Sequence, residues 1–482
     1  MAQLEELKEE RLKKVTALRE NGEIVYKAET KRTHTGNEFI SAFDTLGETS
    51  ISLAGRVLSM RGQGSLRFFD IFDGTEKVQM VAKLPETDQM VMEYLTLYVD
   101  IGDFLEIQGT PFLTKNGQKS LLVSRVSMLS KSLLPLPDKF HGLADEELKM
   151  RKRYLDILTN KELRDMIEKK AKFWKVVRSF FDEHQFLEVE TPTIEVTTGG
   201  AEARPFKTFH NDFDMSVYMR ICIGELWQKR LMAAGLPRTF EIGKAYRNEG
   251  SSPDHLQEFT NCEFYMAYAS YKDGMELVKE LYRKIALEVF GTSVFTTRGH
   301  TFDVADEWRL VDYTEEIIAQ TGIDINKDID ETIIEKLKSL GVKYEGNNRE
   351  RLIDTLWKYC RKTISGPAFL VNHPLLVAPL AKANADGLTA QAFQPILAGS
   401  ELGKGYSELN DPIDQRNRFE IQQALIDAGD DEAMMADTDF VEMLEHGMPP
   451  TCGFGFGDRL FAFFSDKPIR EVQLFPLVKP KE

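Results

Sequence analysis

What most constrains the fold of this chain is a pair of neighbouring segments that carry charge where a sheet interior belongs. Phe240-Glu241-Ile242-Gly243-Lys244-Ala245-Tyr246 reads as a strand running into Arg247-Asn248-Glu249. After a polar loop, Gln257-Glu258-Phe259-Thr260-Asn261-Cys262-Glu263-Phe264-Tyr265 returns as a second strand, with charged residues alternating against apolar ones. A buried antiparallel pair of this kind carries Arg247, Glu249, Glu258 and Glu263. Burying these charges is costly unless they meet a partner or a ligand. A structural ion-pair network would cluster charges in the same way.

A second segment, Gly453-Phe454-Gly455-Phe456-Gly457-Asp458-Arg459-Leu460-Phe461, reads as a glycine-rich strand turning into an apolar helix. Its glycines let a flat ligand approach the backbone, and Arg459 falls in the first helical turn, where anions are favoured. A tightly packed strand with a solvated arginine is the plain alternative. It is no dinucleotide fingerprint, because Asp458 stands where the last glycine belongs. Gly399 to Gly405 is likewise no P-loop, since no Ser or Thr follows Lys404.

The 482 residues, 42% of them apolar, suffice for two to four domains. A net charge of -16 argues against indiscriminate coating of nucleic acid, though not against a local basic surface. No apolar run reaches the roughly eighteen residues of a membrane span, and the mixed-charge N-terminus lacks a signal core, so a cytoplasmic location is expected. Cys222, Cys262, Cys360 and Cys452 are scattered, which indicates neither disulfides nor a zinc site. Residues 4–20 read as a solvated helix within an N-terminal segment over 1–48. Short β-prone runs from about 50, among them Ile51 to Val57 and Phe104 to Gly109, suggest a small OB-type barrel over 49–135. A linker over 136–149 follows, bearing Pro137, and then a second domain over 150–482. That domain opens with a long helix whose apolar face is expected at Leu163, Ile167, Ala171, Trp174, Val177 and Phe181. A strand ending at Pro192 comes next, and a largely helical insertion is expected over 270–365.

Together these segments resemble the signature motifs of class II aminoacyl-tRNA synthetases: motif one at 186–192, motif two at 240–265 and motif three at 453–475. Within that class the resemblance is to the bacterial-type lysyl branch. It is carried by Thr198-Gly199-Gly200-Ala201-Glu202-Ala203-Arg204-Pro205-Phe206, by Tyr406-Ser407-Glu408-Leu409-Asn410-Asp411-Pro412, by Met448-Pro449-Pro450-Thr451 and by Ser52-Leu53-Ala54-Gly55-Arg56-Val57. The implied fold is α+β, an OB-type barrel followed by an antiparallel sheet flanked by helices.

The resemblance implies ATP-dependent activation of lysine and its transfer to the 3′ end of tRNA(Lys), with Mg2+ as cofactor and a homodimer joined through motif one. By motif position, Arg247 would hold the α-phosphate and the amino acid carboxylate, and Arg459 would share the catalytic work. Glu249, His255, Phe259 and Arg459 would bind ATP, and Glu401 would be both an ATP and a magnesium contact. Gly200, Glu225, Arg247, Glu263, Tyr265, Tyr406 and Glu408 would hold lysine. In the barrel, Arg61, Phe68 and Gln79 would meet anticodon bases. Some positions depart from the family pattern. Asp254 stands for a basic residue, Lys404 for an asparagine beside the lysine slot, and Gln394 for a glutamate expected to help bind metal. Rival readings are an aspartyl or asparaginyl enzyme, a non-catalytic RNA-binding relative, and a ligase that lysylates protein.

Overall fold

In the first unit, short apolar-alternating runs separated by glycine turns close on themselves. The computed structural model describes residues 2–137, 145–201, 203–250, 252–253, 255–344, 348–427 and 433–480. The chain divides into two units, 1–159 and 160–482. Strands β1 (Ile51–Arg61), β2 (Leu66–Phe72), β3 (Lys77–Lys83), β4 (Phe104–Leu113) and β5 (Lys119–Ser130) form a closed barrel in the order β1-β2-β3-β5-β4. All neighbours are antiparallel except β3 and β5. A bulge in β1 between Val57 and Ser59 lets its first half pair with β4 and its second with β2. Val57, Phe69, Ile71, Met80, Leu105, Ile107 and Val123 fill the interior. Helices α1 (Ala2–Glu20), α2 (Gly36–Leu46), α3 (Gln89–Leu97), α4 (Glu146–Arg151) and α5 (Arg153–Thr159) complete the unit. Thr35 and Glu38 form a reciprocal capping box that starts α2. The helix read as solvated, α1, buries one stripe, Arg11, Val15 and Leu18.

The second unit opens with α6 (Lys161–Glu183), followed by β6 (Leu187–Glu188), β7 (Ile194–Glu195), β8 (Lys207–His210) and β9 (Met215–Met219). Then come α7 (Glu225–Ala233), β10 (Arg238–Tyr246), β11 (Glu258–Ala267), α8 (Tyr271–Ile285), β12 (Val294–Thr297), β13 (His300–Asp303) and β14 (Arg309–Asp312). The helices α9 (Tyr313–Thr321), α10 (Asp330–Ser339) and α11 (Arg349–Cys360) lead to β15 (Ala368–Pro374), β16 (Thr389–Leu397), β17 (Ser400–Glu401) and β18 (Lys404–Ser407). The unit ends with α12 (Pro412–Asp427), α13 (Thr438–His446), β19 (Thr451–Gly457) and α14 (Asp458–Phe464).

Its main sheet runs β14-β15-β16-β18-β19-β11-β10-β6, with β17 paired to β16. The architecture is α+β, as expected, but the sheet is mixed rather than wholly antiparallel: β6 is parallel to β10 and β14 to β15. The segment over 270–365 is mostly helical, yet it also contributes the β12–β13 hairpin and sends β14 into the sheet. On α6 the buried face is Leu163, Met166, Phe173, Val176, Val177, Phe180 and Phe181. The expected face holds only at Leu163, Val177 and Phe181. Ala171 is exposed, because stepping four residues at a time drifts off the 3.6-residue stripe that Phe173 and Phe180 define. The expected linker lies partly outside the described residues, and its end enters α4.

Candidate functional site

The central strands of the main sheet form the floor of a cavity of about 450 Å3 in the second unit. Gly200, Glu225, Arg247, Glu249, His255, Phe259, Glu263, Tyr265, Glu401, Tyr406, Glu408 and Arg459 all line it. Every residue to which the resemblance assigns ATP, lysine or magnesium thus meets in one space. These positions are scattered from 200 to 459, and the pairing of β18 with β19, of β19 with β11 and of β11 with β10 draws them together.

One group of side chains is anionic and buried. Glu263, on β11, accepts hydrogen bonds from Ile223 N at 2.8 Å, Asn261 Nδ2 at 3.1 Å and Tyr265 Oη at 3.2 Å. Burial, reinforced by the nearby Glu225, pushes its carboxyl up to about 7. Glu225 begins α7 and accepts from Tyr406 Oη and, at 2.8 Å, from Lys229 Nζ. Glu408, which follows β18, forms a 2.5 Å ion pair with the same Lys229 Nζ without hydrogen-bond geometry. Burial raises the Glu408 carboxyl well above the carboxylate range, although Lys229 opposes the rise. Burial likewise drives the Tyr265 and Tyr406 phenols up, so both remain hydroxyl donors. Two glycines make the room: a Cβ at Gly453 would collide with Glu408 Oε1 and the Tyr265 ring, and one at Gly200 would sit 3.0 Å from Glu225 Oε2. Gly200 also holds φ +90°, which a side chain rarely adopts.

A second group suits a nucleotide. Arg247 follows β10, and its Nε donates to Ile221 O at 3.3 Å while its guanidinium lies 5.3 Å from the centre of the half-buried Phe259 ring. Among the described residues, the rest of its fork has no protein acceptor. Buried Asp458 accepts from Thr260 N at 3.1 Å and Gln473 Nε2 at 2.9 Å and pairs with Lys170 at 3.0 Å. This anchor fixes the end of β19 against β11 and α6, and the next residue, Arg459, lines the cavity. The arginine does begin a helix, but α14 has only seven residues, too short for the dipole expected there to matter much. His255 Nδ1 lies 2.7 Å from Ser252 Oγ.

Other expectations fare differently. Glu258 is exposed and pairs with Lys244 at 3.4 Å, so it is a surface ion pair and not part of the buried charge. Lys404 lines the cavity, but its ammonium donates to Val377 O at 3.1 Å. Gln394 Oε1 accepts from His373 Nε2 at 2.8 Å, since burial lowers the imidazole to about 3 and keeps it neutral. Asp254 and Glu202 lie outside the described residues. In the barrel, the Arg61 guanidinium sits 5.5 Å from the Phe68 ring centre, and Phe68 is half-buried. Gln79 is 3% exposed and accepts from Ser120 Oγ at 3.1 Å.

The sequence reading missed two groups. Arg220 pairs with Glu241 at 2.6 Å and donates to Lys244 O, while Glu241 also takes Thr191 Oγ1; this network braces the chain after β6 and before α7 against β10. Lys229 is the other. Its spacing of four residues from Glu225 in a helical segment was the only local signal.

The chain matches two family models, tRNA synthetases class II (D, K and N) over residues 145–479 and OB-fold nucleic acid binding domain over 51–129. Among curated proteins it is similar to a lysine–tRNA ligase of Thermotoga maritima, 41% identical over 488 residues covering 99% of this chain and 97% of that protein. It is also similar to one of Roseiflexus sp., 41% identical with both chains fully covered. A third, from Moorella thermoacetica, is 40% identical over 98% of this chain and 97% of its own.

Proposed function

This chain belongs to the class II tRNA synthetases, in the lysine–tRNA ligase family, and from that premise we propose how its site performs the ligase reaction. The overall reaction is that of a lysine–tRNA ligase: lysine is joined to the 3′ end of its transfer RNA. The observation that carries the choice of lysine is the buried acidic cluster of Glu225, Glu263 and Glu408, in which Glu225 and Glu408 share the Lys229 ammonium. The aspartate side chain would bring a fourth carboxylate into that group, and the asparagine side chain no cation, so neither suits it. Lysine brings an ammonium at each end.

In the proposed reaction the lysine carboxylate attacks the α-phosphorus of ATP, the bond to the β-phosphate breaks, and pyrophosphate leaves. Arg247 holds both the carboxylate and the α-phosphate in its planar fork, which suits charge growing on the phosphoryl oxygens. Phe259 and Arg459 hold adenine between them, with Glu249 and His255 at the nucleotide. Tyr265, Glu263 and Glu408 hold the ε-ammonium, while Glu225 and Tyr406 at Gly200 hold the α-ammonium. Positioning and charge stabilisation suffice without a general acid or base. The terminal ribose hydroxyl of the transfer RNA then displaces AMP from the adenylate.

Glu401 suits magnesium: Trp357 Nε1 takes one carboxylate oxygen at 2.6 Å, leaving the other as a hard ligand. The bound ion would neutralise phosphate charge, and neutral Gln394, engaged by His373, adds nothing to it. We further propose a cytoplasmic homodimer. No helix among the described residues is long and apolar enough to cross a membrane, and Leu187, Ile194, Val196 and Phe209 around motif one are exposed apolar residues that a second copy would cover; light scattering tests this. ATP–pyrophosphate exchange with a panel of amino acids tests the central reading. Lysine-dependent exchange is expected, and exchange with aspartate or asparagine instead would overturn it.

A further inference from the structure

Lys229 is chemically odd for a residue that needs to bind nothing. It is 1% exposed, on the inner face of α7, with the Tyr406 and Phe440 rings 5.4 and 5.8 Å from its ammonium. Its Nζ touches two carboxylates at once, Glu225 Oε1 at 2.8 Å and Glu408 Oε2 at 2.5 Å. Both are residues to which the proposed lysine slot assigns a substrate ammonium. The contacts divide the oxygens. Glu225 Oε1 is taken by Lys229 and Tyr406, while Oε2 points to Gly200. Glu408 gives Oε2 to Lys229, while Oε1 lies against Gly453 on the cavity wall.

We propose that Lys229 is a positioning and specificity-determining residue: a built-in lysine that bridges Glu225 and Glu408 and leaves each with one oxygen for substrate. The inference rests on the lysine-binding reading of the cavity. Without an internal cation, three mutually repelling carboxylates would share one buried space, and at least one would take up a proton rather than stay charged. With it, Glu225 and Glu408 each meet a cation through one oxygen, and the slot still holds more acidic than basic groups. A bound lysine brings two ammoniums to the oxygens left over, and its arrival favours the ionised carboxylates. A slot in which one carboxyl is neutral offers the substrate one anionic oxygen fewer and would no longer separate lysine from an uncharged isostere as strongly.

The test is ATP–pyrophosphate exchange with K229M and K229R, reading KM for lysine and for ATP separately between pH 6.5 and 8.5, with circular dichroism melts to confirm folding. The groups facing the bridge are Glu225 on α7, Cys222 before it, Glu263 and Tyr265 on β11, Tyr406 on β18 and Cys452 on β19; α13 contributes only the Phe440 ring. Burial pushes the thiols and phenols of this set well above that range, while the Glu263 carboxyl is raised to about 7, and K229M should raise KM for lysine by about 10-fold or more at pH 7. The rise should shrink as pH climbs and the carboxylates re-ionise, with KM for ATP held within about twofold, and K229R should restore most of the loss. A lysine KM within about twofold of wild type, or lysine and ATP KM values rising together without pH dependence, would overturn the inference. If K229M does not fold, K229Q keeps a hydrogen-bond donor without charge and is held to the same outcomes. Failure of the lysine-binding reading looks different, because the unaltered chain would then show no lysine-dependent exchange.

Discussion

Two buried lysines, one in each unit, show what separates a brace from a binding site. Lys131, on the strand-exit side of the barrel unit, is fully enclosed and donates to Tyr98 O at 2.7 Å, Asp100 Oδ2 at 2.5 Å and Asp103 Oδ2 at 2.7 Å. Lys14 joins Asp100 at 2.8 Å, and Asp103 takes Ser132 N with its other oxygen. Two ammoniums thus face two carboxylates, and every donor of Lys131 has an acceptor. Lys229 has the same chemistry but stands alone between Glu225 and Glu408, with Glu263 near Glu225 and open cavity beside them. Burial is equal in the two places; charge balance is not. A neutral, saturated cluster holds the fold, and an unbalanced one beside a cavity waits for a ligand.

Breaking the saturated cluster should be the costliest change. Lys131→Met should destabilise the protein by about 3–5 kcal/mol, the scale for orphaning buried charge, seen as a lower urea midpoint, with KM values of the folded fraction unchanged. At the cavity the loss should fall on activity. Arg247→Ala should lower pyrophosphate exchange by about two orders of magnitude or more with little change in the melt; near-normal exchange would remove Arg247 from the chemistry. Glu408→Gln reduces the excess charge and should raise KM for lysine by about 10- to 100-fold while leaving stability equal or slightly higher, since one buried like charge is relieved. A large loss of stability there would make the two lysines equivalent and break the comparison.

Two smaller effects sharpen it. Phe68→Ala should reduce charging of transfer RNA by about 10-fold, the scale of one lost stacking contact, with exchange unaltered because activation needs only ATP and lysine. Equal loss in both reactions would make Phe68 a core residue only. Glu263, raised by burial to about 7, favours its protonated form in the empty protein. Stability from that protonation is fully present below the unfolded value of about 4.5 and is lost as pH rises from there through about 7. Lysine binding favours the ionised form, so titration calorimetry near pH 7 in buffers of different ionisation heat should show proton release, and KM for lysine should fall about two- to threefold from pH 6.5 to 8. Proton uptake would contradict the placement of an ammonium at Glu263.

Local pattern made much of this molecule legible. The barrel strands, the β10–β11 hairpin and the glycine strand β19 all announce themselves through alternation and glycine spacing, which act over a few residues. The motif residues carried the cavity list as well, from Gly200 to Arg459. Where two readings of one pattern differ by a single step, the chain alone misled: Ala171 was put on the buried face of α6 in place of Phe173, and Glu258 inside with Glu263.

The sequence by itself thus determined the α+β plan with its barrel, the class of chemistry and the polar residues gathered in the cavity apart from Lys229, because those signals sit within short windows. Only the tertiary structure decided which charges are buried and what they meet. Glu258 pairs outside because it lies at the start of β11, opposite Tyr246, whereas Glu263 lies mid-strand between β10 and β19. Lys229 became part of the site only when β18 and β19 brought Glu408 against α7. Electrostatic energy depends on distance and burial, and neither exists for residues far apart in the chain until the sheet has assembled.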